Sequence, residues 1–188
     1  MNRIGLFFGT FDPLHNGHVA IINYFISELN LEELWLVVTP ENPFKNQKNI
    51  SDANTRLEIV TRYCDFNDKI KCLDIEFNLP RPNYTADTLN YLVERNANAK
   101  FFILLGEDNL NSLHLWKNHQ NILKLQVCVY PRDNVSSLTN SLLNHPNVKL
   151  YSAPVMDISS TKIRKKILEN KPIDHLVPKE IIKILTKP

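Results

Sequence analysis

The chain has 188 residues, of which 43% are hydrophobic and 22% are charged, and its formal net charge is +2. This length suits one domain with room for a real core, and we expect a single domain over residues 1–188. The small net charge gives no reason to expect a nucleic acid or a membrane surface as a partner. No apolar run approaches the roughly 18 residues that span a bilayer, and the N-terminus lacks a signal-peptide pattern. We therefore expect a soluble, cytoplasmic protein.

The three cysteines give no indication of a metal or redox centre. Cys64, Cys72 and Cys128 lie in apolar surroundings and form no CxxC pair. An odd number of cysteines without metal-ligand spacing is typical of reduced thiols in a protein core. We predict no metal held by protein ligands alone.

The first predicted elements are a buried strand over residues 3–8 and a helix that begins near Gly17. The strand residues are apolar enough for the interior of a parallel sheet. Asn16 is the expected N-cap of the helix. The apolar positions of this helix recur at helical spacing: Val19, Ile22, Ile26 and Leu29.

Strands and helices alternate along the rest of the chain. Further strands are predicted over 33–39, 69–77, 100–106, 126–130 and 148–151. A helix over about 52–65 is predicted to be capped by Ser51 and to carry Ala53, Leu57, Val60 and Cys64 on its apolar face. One further helix is predicted to begin near 107, and a short helical piece to end at 125. The other predicted helices are 85–95, 136–144, 159–170 and 178–187, the last with Pro178 in its first turn. This alternation predicts an α/β fold, a single Rossmann-like, doubly wound parallel sheet with helices on both faces.

Two histidines follow the first strand, where an open α/β sheet binds ligands. His15 and His18 fall at the start of a helix, whose N–H groups and dipole favour anions, and Gly9 allows a close backbone approach. If strand 100–106 pairs with the first strand, Gly106 and Asp108 face the histidines across one cleft. A zinc site would need further ligands, and the next histidine is His114, so this pattern indicates phosphate binding rather than metal binding.

A second polar stretch precedes the predicted helix over 159–170. Ser159, Ser160 and Thr161 come directly before Arg164 and several lysines. By themselves these residues could form an ordinary N-cap and a solvated basic face. The same hydroxyl groups, free N–H groups and guanidinium could also bind phosphates.

These two stretches resemble the signatures of one enzyme superfamily. GTFDPLHNGH at 9–18 resembles the GxFDPxHxGH signature of the nucleotidyltransferases with paired histidines, and ISSTKIRK at 158–165 resembles their ISSTxIR. The resemblance implies transfer of an adenylyl group from ATP, with His18 at the α-phosphate, His15 at neighbouring oxygens and Arg164 at the leaving phosphates. It implies an ATP site formed by Gly9, Thr10, Phe11, His15, His18, Gly106, Asp108, Ile158, Ser159, Ser160, Thr161 and Arg164.

The middle of the chain resembles the bacterial nicotinate mononucleotide adenylyltransferases. NYTADTL at 83–89 is similar to their SYTxDTL, the stretch at 104–116 to their GxDxLxxLxxW, PENPFK at 40–45 to their proline-rich loop and LVPKEII at 176–182 to their C-terminal LLPxxVxxYI. Asn83, Phe44 and Phe8 depart from the usual serine, histidine and glycine. The resemblance implies that nicotinate mononucleotide is bound by Asp12, Lys45, Tyr84, Thr85, Trp116, Lys117 and Arg132.

The implied reaction joins ATP and nicotinate mononucleotide into deamido-NAD with release of pyrophosphate, a step of NAD biosynthesis. The attacking phosphate has a second pKa of about 6 and needs no general base at neutral pH. Mg²⁺ is expected to bridge the ATP phosphates with few or no protein ligands. The alternatives are nicotinamide mononucleotide or phosphopantetheine as the acceptor, or a non-catalytic nucleotide-binding protein of the same fold. The sequence leaves open whether the chain forms a homo-oligomer.

Overall fold

The computed structural model describes residues 1–44, 50–132 and 141–186, which form a six-stranded parallel sheet with helices on both faces. The strand order is β3-β2-β1-β4-β5-β6. The strands are β1 (Asn2–Gly9), β2 (Glu33–Val38), β3 (Ile70–Leu73), β4 (Ala99–Gly106), β5 (Gln126–Tyr130) and β6 (Val148–Leu150). β1 therefore pairs with both β2 and β4, so the condition that strand 100–106 pairs with the first strand is met.

In the described residues, seven α-helices cover the two faces of the sheet. They are α1 (Asn16–Glu28), α2 (Ala53–Cys64), α3 (Thr85–Arg95), α4 (Glu107–Ser112), α5 (His119–Ile122), α6 (Ser160–Leu168) and α7 (Lys179–Leu185). Buried residues of α1, α2, α6 and α7 share one core cluster with one face of the sheet, and those of α3, α4 and α5 share a second cluster with the other face. Neighbouring residues of β4 alternate between the clusters, as the period of a strand requires. The doubly wound α/β fold is thus confirmed.

Two predicted helix caps are wrong by one residue. His15, not Asn16, is the N-cap of α1, and Asp52, not Ser51, is the N-cap of α2. The Asp52 carboxylate accepts the N–H groups of Asn54 and Thr55 at 2.9 and 3.0 Å, an arrangement that leaves Ser51 outside the helix. The α7 helix begins at Lys179, with Pro178 as its N-cap.

The buried face of α2 also differs from the predicted one. Its buried residues are Arg56, Ile59, Val60 and Tyr63, whereas Ala53, Leu57 and Cys64 are only partly buried. The charge of arginine predicts a solvent-exposed side chain at this position. Here the Arg56 side chain lies inside the protein and is only 1% exposed.

The predicted third strand is too long, and one predicted helix lies largely outside the described residues. β3 ends at Leu73 and is followed by a 3₁₀ helix over Ile75–Phe77. Edge strand β3 pairs with β2 over four residues, and beyond it the chain turns inward, so that Glu76 becomes buried. Of the helix predicted over 136–144, residues 136–140 lie outside the described residues, and Ser141–Asn144 form a 3₁₀ helix.

Candidate active site

A cavity of about 580 Å³ opens at the carboxyl ends of β1 and β4. At this point the chain connections leave the sheet in opposite directions, which is where open α/β sheets bind ligands. The predicted site residues that line it are Gly9, Thr10, Phe11, Asp12, His15, His18, Thr85, Asp108, Trp116, Arg132, Ser159, Ser160, Thr161 and Arg164. Stretches far apart in the sequence therefore meet in one cleft.

The two histidines cap the start of α1 reciprocally. The backbone N–H of His18 donates to Nδ1 of His15 at 3.3 Å, and the backbone N–H of His15 donates to Nδ1 of His18 at 3.2 Å. The rings are stacked, with 3.7 Å between their centroids. Because each Nδ1 accepts a hydrogen bond, each neutral ring carries its proton on Nε2. The pair therefore offers two Nε2–H donors at the cleft.

His15 is held in its neutral form. Burial, and secondly the Arg132 guanidinium, lower the pKa of His15 to about 4. His15 is 5% exposed. At neutral pH, a neutral imidazole can donate its N–H to a phosphate oxygen while its own protonation state stays unchanged.

Phe11 fixes the turn that leads from β1 to the histidines. Its φ is 45°, in the left-handed region that few side chains adopt. The Phe11 ring packs edge-on against His18, with 5.3 Å between the ring centroids. A Cβ atom on Gly9 would lie 2.8 Å from this buried ring, so only glycine fits at the end of β1.

The ISSTKIRK segment docks directly on this turn. Ser160 Oγ donates to the carbonyl of Pro13 at 3.0 Å, and Ser159 Oγ caps α6 by accepting the N–H of Lys162 at 3.3 Å. Arg164 Nη1 donates to the carbonyl of Asp12 at 2.6 Å and lies 3.2 Å from the Asp12 carboxylate. The two motifs therefore form one structural unit.

The carboxylate of Asp12 is engaged within the protein. It is 5% exposed, contacts Arg164, and accepts the backbone N–H of Ser51 at 3.2 Å. Its position ties the turn that follows β1 (residues 10–15), which we call the phosphate turn, to α6 and to the start of α2. A contact between Asp12 and nicotinate mononucleotide stays a prediction.

Asp108 and Arg132 face each other at the end of β4, with 3.6 Å between Asp108 Oδ1 and Arg132 Nε. Arg132 Nη2 also donates to the Tyr130 hydroxyl at 3.4 Å. A Cβ atom on Gly106 would collide with Asp108 Oδ1. Gly106 therefore leaves the space in which these two charged side chains meet.

The opposite side of the cleft is built from α3 and two aromatic residues. α3 begins at Thr85, and the side chain of its N-cap residue, Tyr84, makes no capping hydrogen bond. Trp116 stacks on Phe44, with ring planes at 23° and centroids 6.2 Å apart. Lys117 is exposed; it pairs with Asp87 at 2.8 Å, and its ammonium lies 4.8 Å from the centre of the Tyr84 ring. Lys45 lies outside the described residues.

A second cavity of about 250 Å³ adjoins the histidines on the side of α6, and Ile158 lines it together with Gly17 and Pro154. It continues the cleft past Arg132 and Ser159, which border both cavities. Within the described parts of the chain, no three metal-ligating side chains cluster. The cleft thus presents imidazoles, guanidinium groups and hydroxyls, a donor set suited to phosphates.

Three buried residues near the cleft were not predicted as site residues. Asn83 donates to the Glu76 carbonyl at 2.8 Å and accepts the N–H of Glu41 at 3.2 Å, so it braces a loop instead of capping α3. The Glu76 carboxyl accepts the Thr88 hydroxyl at 2.7 Å, and burial raises its pKa. All described hydrogen bonds of the Arg56 side chain are donated to main-chain carbonyls. Of these three residues, only Asn83 was noticeable in the sequence, because it stands where the resembled family usually has serine.

Comparisons with known proteins agree with this geometry. The model of the cytidylyltransferase-like family matches residues 6–166. The chain is 43% identical to the probable nicotinate-nucleotide adenylyltransferase of Flavobacterium psychrophilum over 184 residues, which cover 97% of this chain and 95% of the relative. It is 43% identical to the protein of the same name from Christiangramia forsetii over 187 residues, covering 98% and 96%.

A solved structure shares the fold at lower identity. The nicotinic acid mononucleotide adenylyltransferase of Plasmodium falciparum, complexed with NaAD, superposes with a TM-score of 0.78 at 22% identity, covering 97% of this chain and 96% of that one. In the described ranges, no helix is both long enough and apolar enough to cross a bilayer.

Proposed function

Since this chain belongs to the cytidylyltransferase-like family and, within it, to the nicotinate-nucleotide adenylyltransferases, we propose that it transfers the adenylyl group of ATP to nicotinate mononucleotide in NAD biosynthesis. The products are deamido-NAD and pyrophosphate. The observation that carries the assignment of roles is the docking of Arg164 on the turn that holds His15 and His18. It brings two imidazole donors and one guanidinium to the same cleft.

The reaction is a displacement at the α-phosphorus of ATP. A phosphate oxygen of nicotinate mononucleotide forms the new P–O bond, and the bond to the bridging oxygen of pyrophosphate breaks. The attacking phosphate is largely dianionic at neutral pH, so no residue has to remove a proton. Catalysis then consists of aligning two anions and stabilising the charge that develops on the phosphate oxygens.

The chain's own residues supply that stabilisation. His18 Nε2–H donates to an α-phosphate oxygen, where charge increases in the transition state, and His15 Nε2–H donates to a neighbouring oxygen. Arg164 and the hydroxyl groups of Ser159 and Thr161 hold the departing phosphates. Guanidinium and phosphate form charge-assisted hydrogen bonds, which are stronger than neutral ones.

Mg²⁺ is part of this proposal as a partner of the ATP phosphates, where it would neutralise charge on the leaving group. Mg²⁺ keeps several water ligands and commonly binds through substrate phosphates and one or two carboxylates. Asp108 is a solvent-exposed carboxylate that lines the cleft and could contact the hydrated ion or the ribose hydroxyls. The reaction is expected in the cytoplasm, which stays a prediction.

We infer that the start of α3 favours nicotinate over nicotinamide. A helix that begins without a side-chain cap offers N–H donors and the positive end of its dipole to a carboxylate. The amide of nicotinamide would bring an NH₂ group towards donors and would lack the charge. A mismatch of this kind costs about 1–3 kcal/mol, which corresponds to roughly 5–150-fold in kcat/KM.

The test is a pyrophosphate-release assay with Mg-ATP and three acceptors in parallel: nicotinate mononucleotide, nicotinamide mononucleotide and phosphopantetheine. We expect the highest kcat/KM with nicotinate mononucleotide and formation of deamido-NAD in equal amount to pyrophosphate. A higher kcat/KM with either other acceptor would reassign the substrate. Binding of ATP without turnover of any acceptor would establish a non-catalytic protein.

A further inference from the structure

The Arg56 side chain joins three separate segments beneath the cleft. Nη1 donates to the carbonyls of Thr10 and Thr39, each at 2.8 Å, and Nη2 donates to the carbonyl of Pro40 at 2.8 Å. Nε donates to the carbonyl of Ser51 at 3.1 Å. These acceptors belong to the turn after β1, the loop after β2 and the segment before α2. One guanidinium therefore links the ends of two neighbouring strands.

Arg56 is a buried cation whose side-chain donors bind main-chain carbonyls. Burial lowers the pKa of Arg56, while Asp12 and Asp52 raise it. An apolar residue of similar volume would leave the main-chain carbonyls that Arg56 contacts without this donor, which is costly for buried acceptors. The rigid, forked geometry of guanidinium, in contrast, can satisfy several carbonyl groups at fixed angles. The arrangement thus favours a role in holding the backbone rather than in filling the core.

The contact with Thr10 bears on the ATP side of the cleft. A peptide group is planar, so the Thr10 carbonyl and the Phe11 N–H point in opposite directions. Because the Thr10 carbonyl is held by Arg56, the orientation of the Phe11 N–H and of the turn that continues to His15 is fixed. Thr10 and Phe11 both line the large cavity.

The contact with Pro40 bears on the acceptor side. The Pro40 carbonyl binds Arg56, and the N–H of the same peptide group, that of Glu41, donates to Asn83 Oδ1 at 3.2 Å. The Asn83 backbone N–H donates back to the Glu41 carbonyl at 3.0 Å. Asn83 comes directly before Tyr84, the N-cap of α3. The network therefore runs without interruption from the phosphate turn to the start of α3.

We propose, resting on the adenylyltransferase function above, that Arg56 is a positioning residue for this reaction: it fixes the ATP-side turn relative to the acceptor-side loop and so aligns the two bound nucleotides. Arg56 lies beneath the cleft and touches neither substrate. Its effect is on the distance and angle between the attacking phosphate and the α-phosphorus. Misplacement of reacting groups by about 1 Å can cost 100-fold in rate.

The test compares Arg56→Lys with two control variants on the same helix. Val60→Ala removes part of a fully buried side chain in the core cluster and lowers stability without removing a hydrogen-bonding group. Arg62→Lys makes the same chemical change at an exposed position. For each protein, kcat is measured at saturating Mg-ATP and nicotinate mononucleotide. Calorimetry gives the Kd for nicotinate mononucleotide and for a non-hydrolysable ATP analogue, each alone, and thermal unfolding gives Tm.

We expect Arg56→Lys to lower kcat by about 30–100-fold, because a lysine ammonium cannot reach all four carbonyls, while the Kd for each nucleotide alone changes by less than about threefold. Val60→Ala should lose a similar amount of Tm and keep its kcat within about twofold. Arg62→Lys should match the wild type in both. If Arg56→Lys does not fold at 25 °C, Arg56→Gln is assayed at 10 °C against Val60→Ala at the same temperature.

Two results would overturn the positioning role. One is a kcat for the Arg56 variant within threefold of the wild type. The other is a loss of kcat in Val60→Ala as large as that in the Arg56 variant, which would show that activity follows stability alone. Wild-type protein that fails to turn over nicotinate mononucleotide would instead refute the proposed function.

Discussion

His15 and His18 each donate their backbone N–H to the Nδ1 atom of the other, at 3.2 and 3.3 Å. This reciprocal pair serves two purposes. It satisfies two N–H groups at the start of α1, which would otherwise lack partners, and it selects the tautomer in which Nε2 carries the proton. Helix capping and donor placement are thus achieved by the same two side chains.

Replacement of His18 should remove a transition-state donor. We expect His18→Ala to lower kcat by at least about 100-fold, in the range found when one donor to a developing oxyanion is lost. His18→Gln should retain more activity, because its amide N–H₂ can reach close to the position of Nε2. Steady-state pyrophosphate release measures both.

The control for His18 is His114→Ala, which changes an exposed histidine that does not line the cavity. It should leave kcat unchanged. Circular dichroism and Tm should show that all three variants are folded. Turnover by His18→Ala close to that of the wild type would refute the assigned role.

Arg164 should act mainly on ATP and pyrophosphate. Loss of charge-assisted hydrogen bonds costs about 1.5–3 kcal/mol, so Arg164→Ala should raise the KM for ATP by roughly 10–100-fold and weaken product inhibition by pyrophosphate. Lys165→Ala alters an exposed cation on the same helix and should change neither. An unchanged KM and kcat in Arg164→Ala would count against the phosphate contact.

The low pKa of His15 predicts a stability loss in acid. The folded protein binds this proton only near pH 4, whereas the unfolded chain binds it below about pH 6.5. The unfolded state therefore gains protons first, and stability falls as pH drops from 6.5 towards 4. At pH 5 the loss from His15 should be roughly 2 kcal/mol.

His15→Asn is the matched control, because asparagine keeps a cap acceptor but does not titrate in this range. Urea unfolding at pH 7, 6 and 5 measures the free energy of unfolding of both proteins. The wild type should lose more stability than the variant between pH 7 and pH 5. Equal pH dependence would show that His15 titrates normally in the folded protein.

The Phe44–Trp116 stack should contribute to the binding of nicotinate mononucleotide. An aromatic pair contributes about 0.5–1.5 kcal/mol beyond the area it buries. Trp116→Ala should therefore raise the KM for nicotinate mononucleotide by at least roughly fivefold and Phe44→Ala by about threefold, with the KM for ATP unchanged. Leu115→Ala, at a neighbouring exposed residue, should leave both KM values unchanged. A rise in the KM for ATP alone would show that this stack contributes to the binding of ATP and not of nicotinate mononucleotide.

The main features of the fold and cleft were predictable because they depend on local patterns. Apolar runs separated by helical periodicity indicate a parallel sheet. The sequence left open whether strand 100–106 pairs with the first strand, and the structure shows that it does. This pairing places Asp108 in the same cavity as His15 and His18. The helix starts were less predictable, since Asn16 is a common cap residue and His15 acts as one only through its partner His18.

The buried polar residues could not be predicted, because their partners are main-chain atoms. Arg56 shares the helical spacing of Ile59, Val60 and Tyr63 on the buried face of α2, but its charge predicts a solvent-exposed side chain. Its acceptors are carbonyl groups that any sequence carries. Glu76 follows a strand pattern that continues past Leu73, and only the tertiary fold turns the chain inward there. A single sequence gives no signal for either event.

The docking of α6 on the phosphate turn has a consequence for protein synthesis. Ser160 contacts Pro13 across 147 positions of the chain, and Arg164 contacts Asp12 across 152. On the ribosome the turn emerges long before the segment that completes it, so a growing chain carries half of a nucleotide site through most of translation. Enzymatic competence is therefore gained in one late event, and local opening of the C-terminal helices would abolish it while the sheet stays folded.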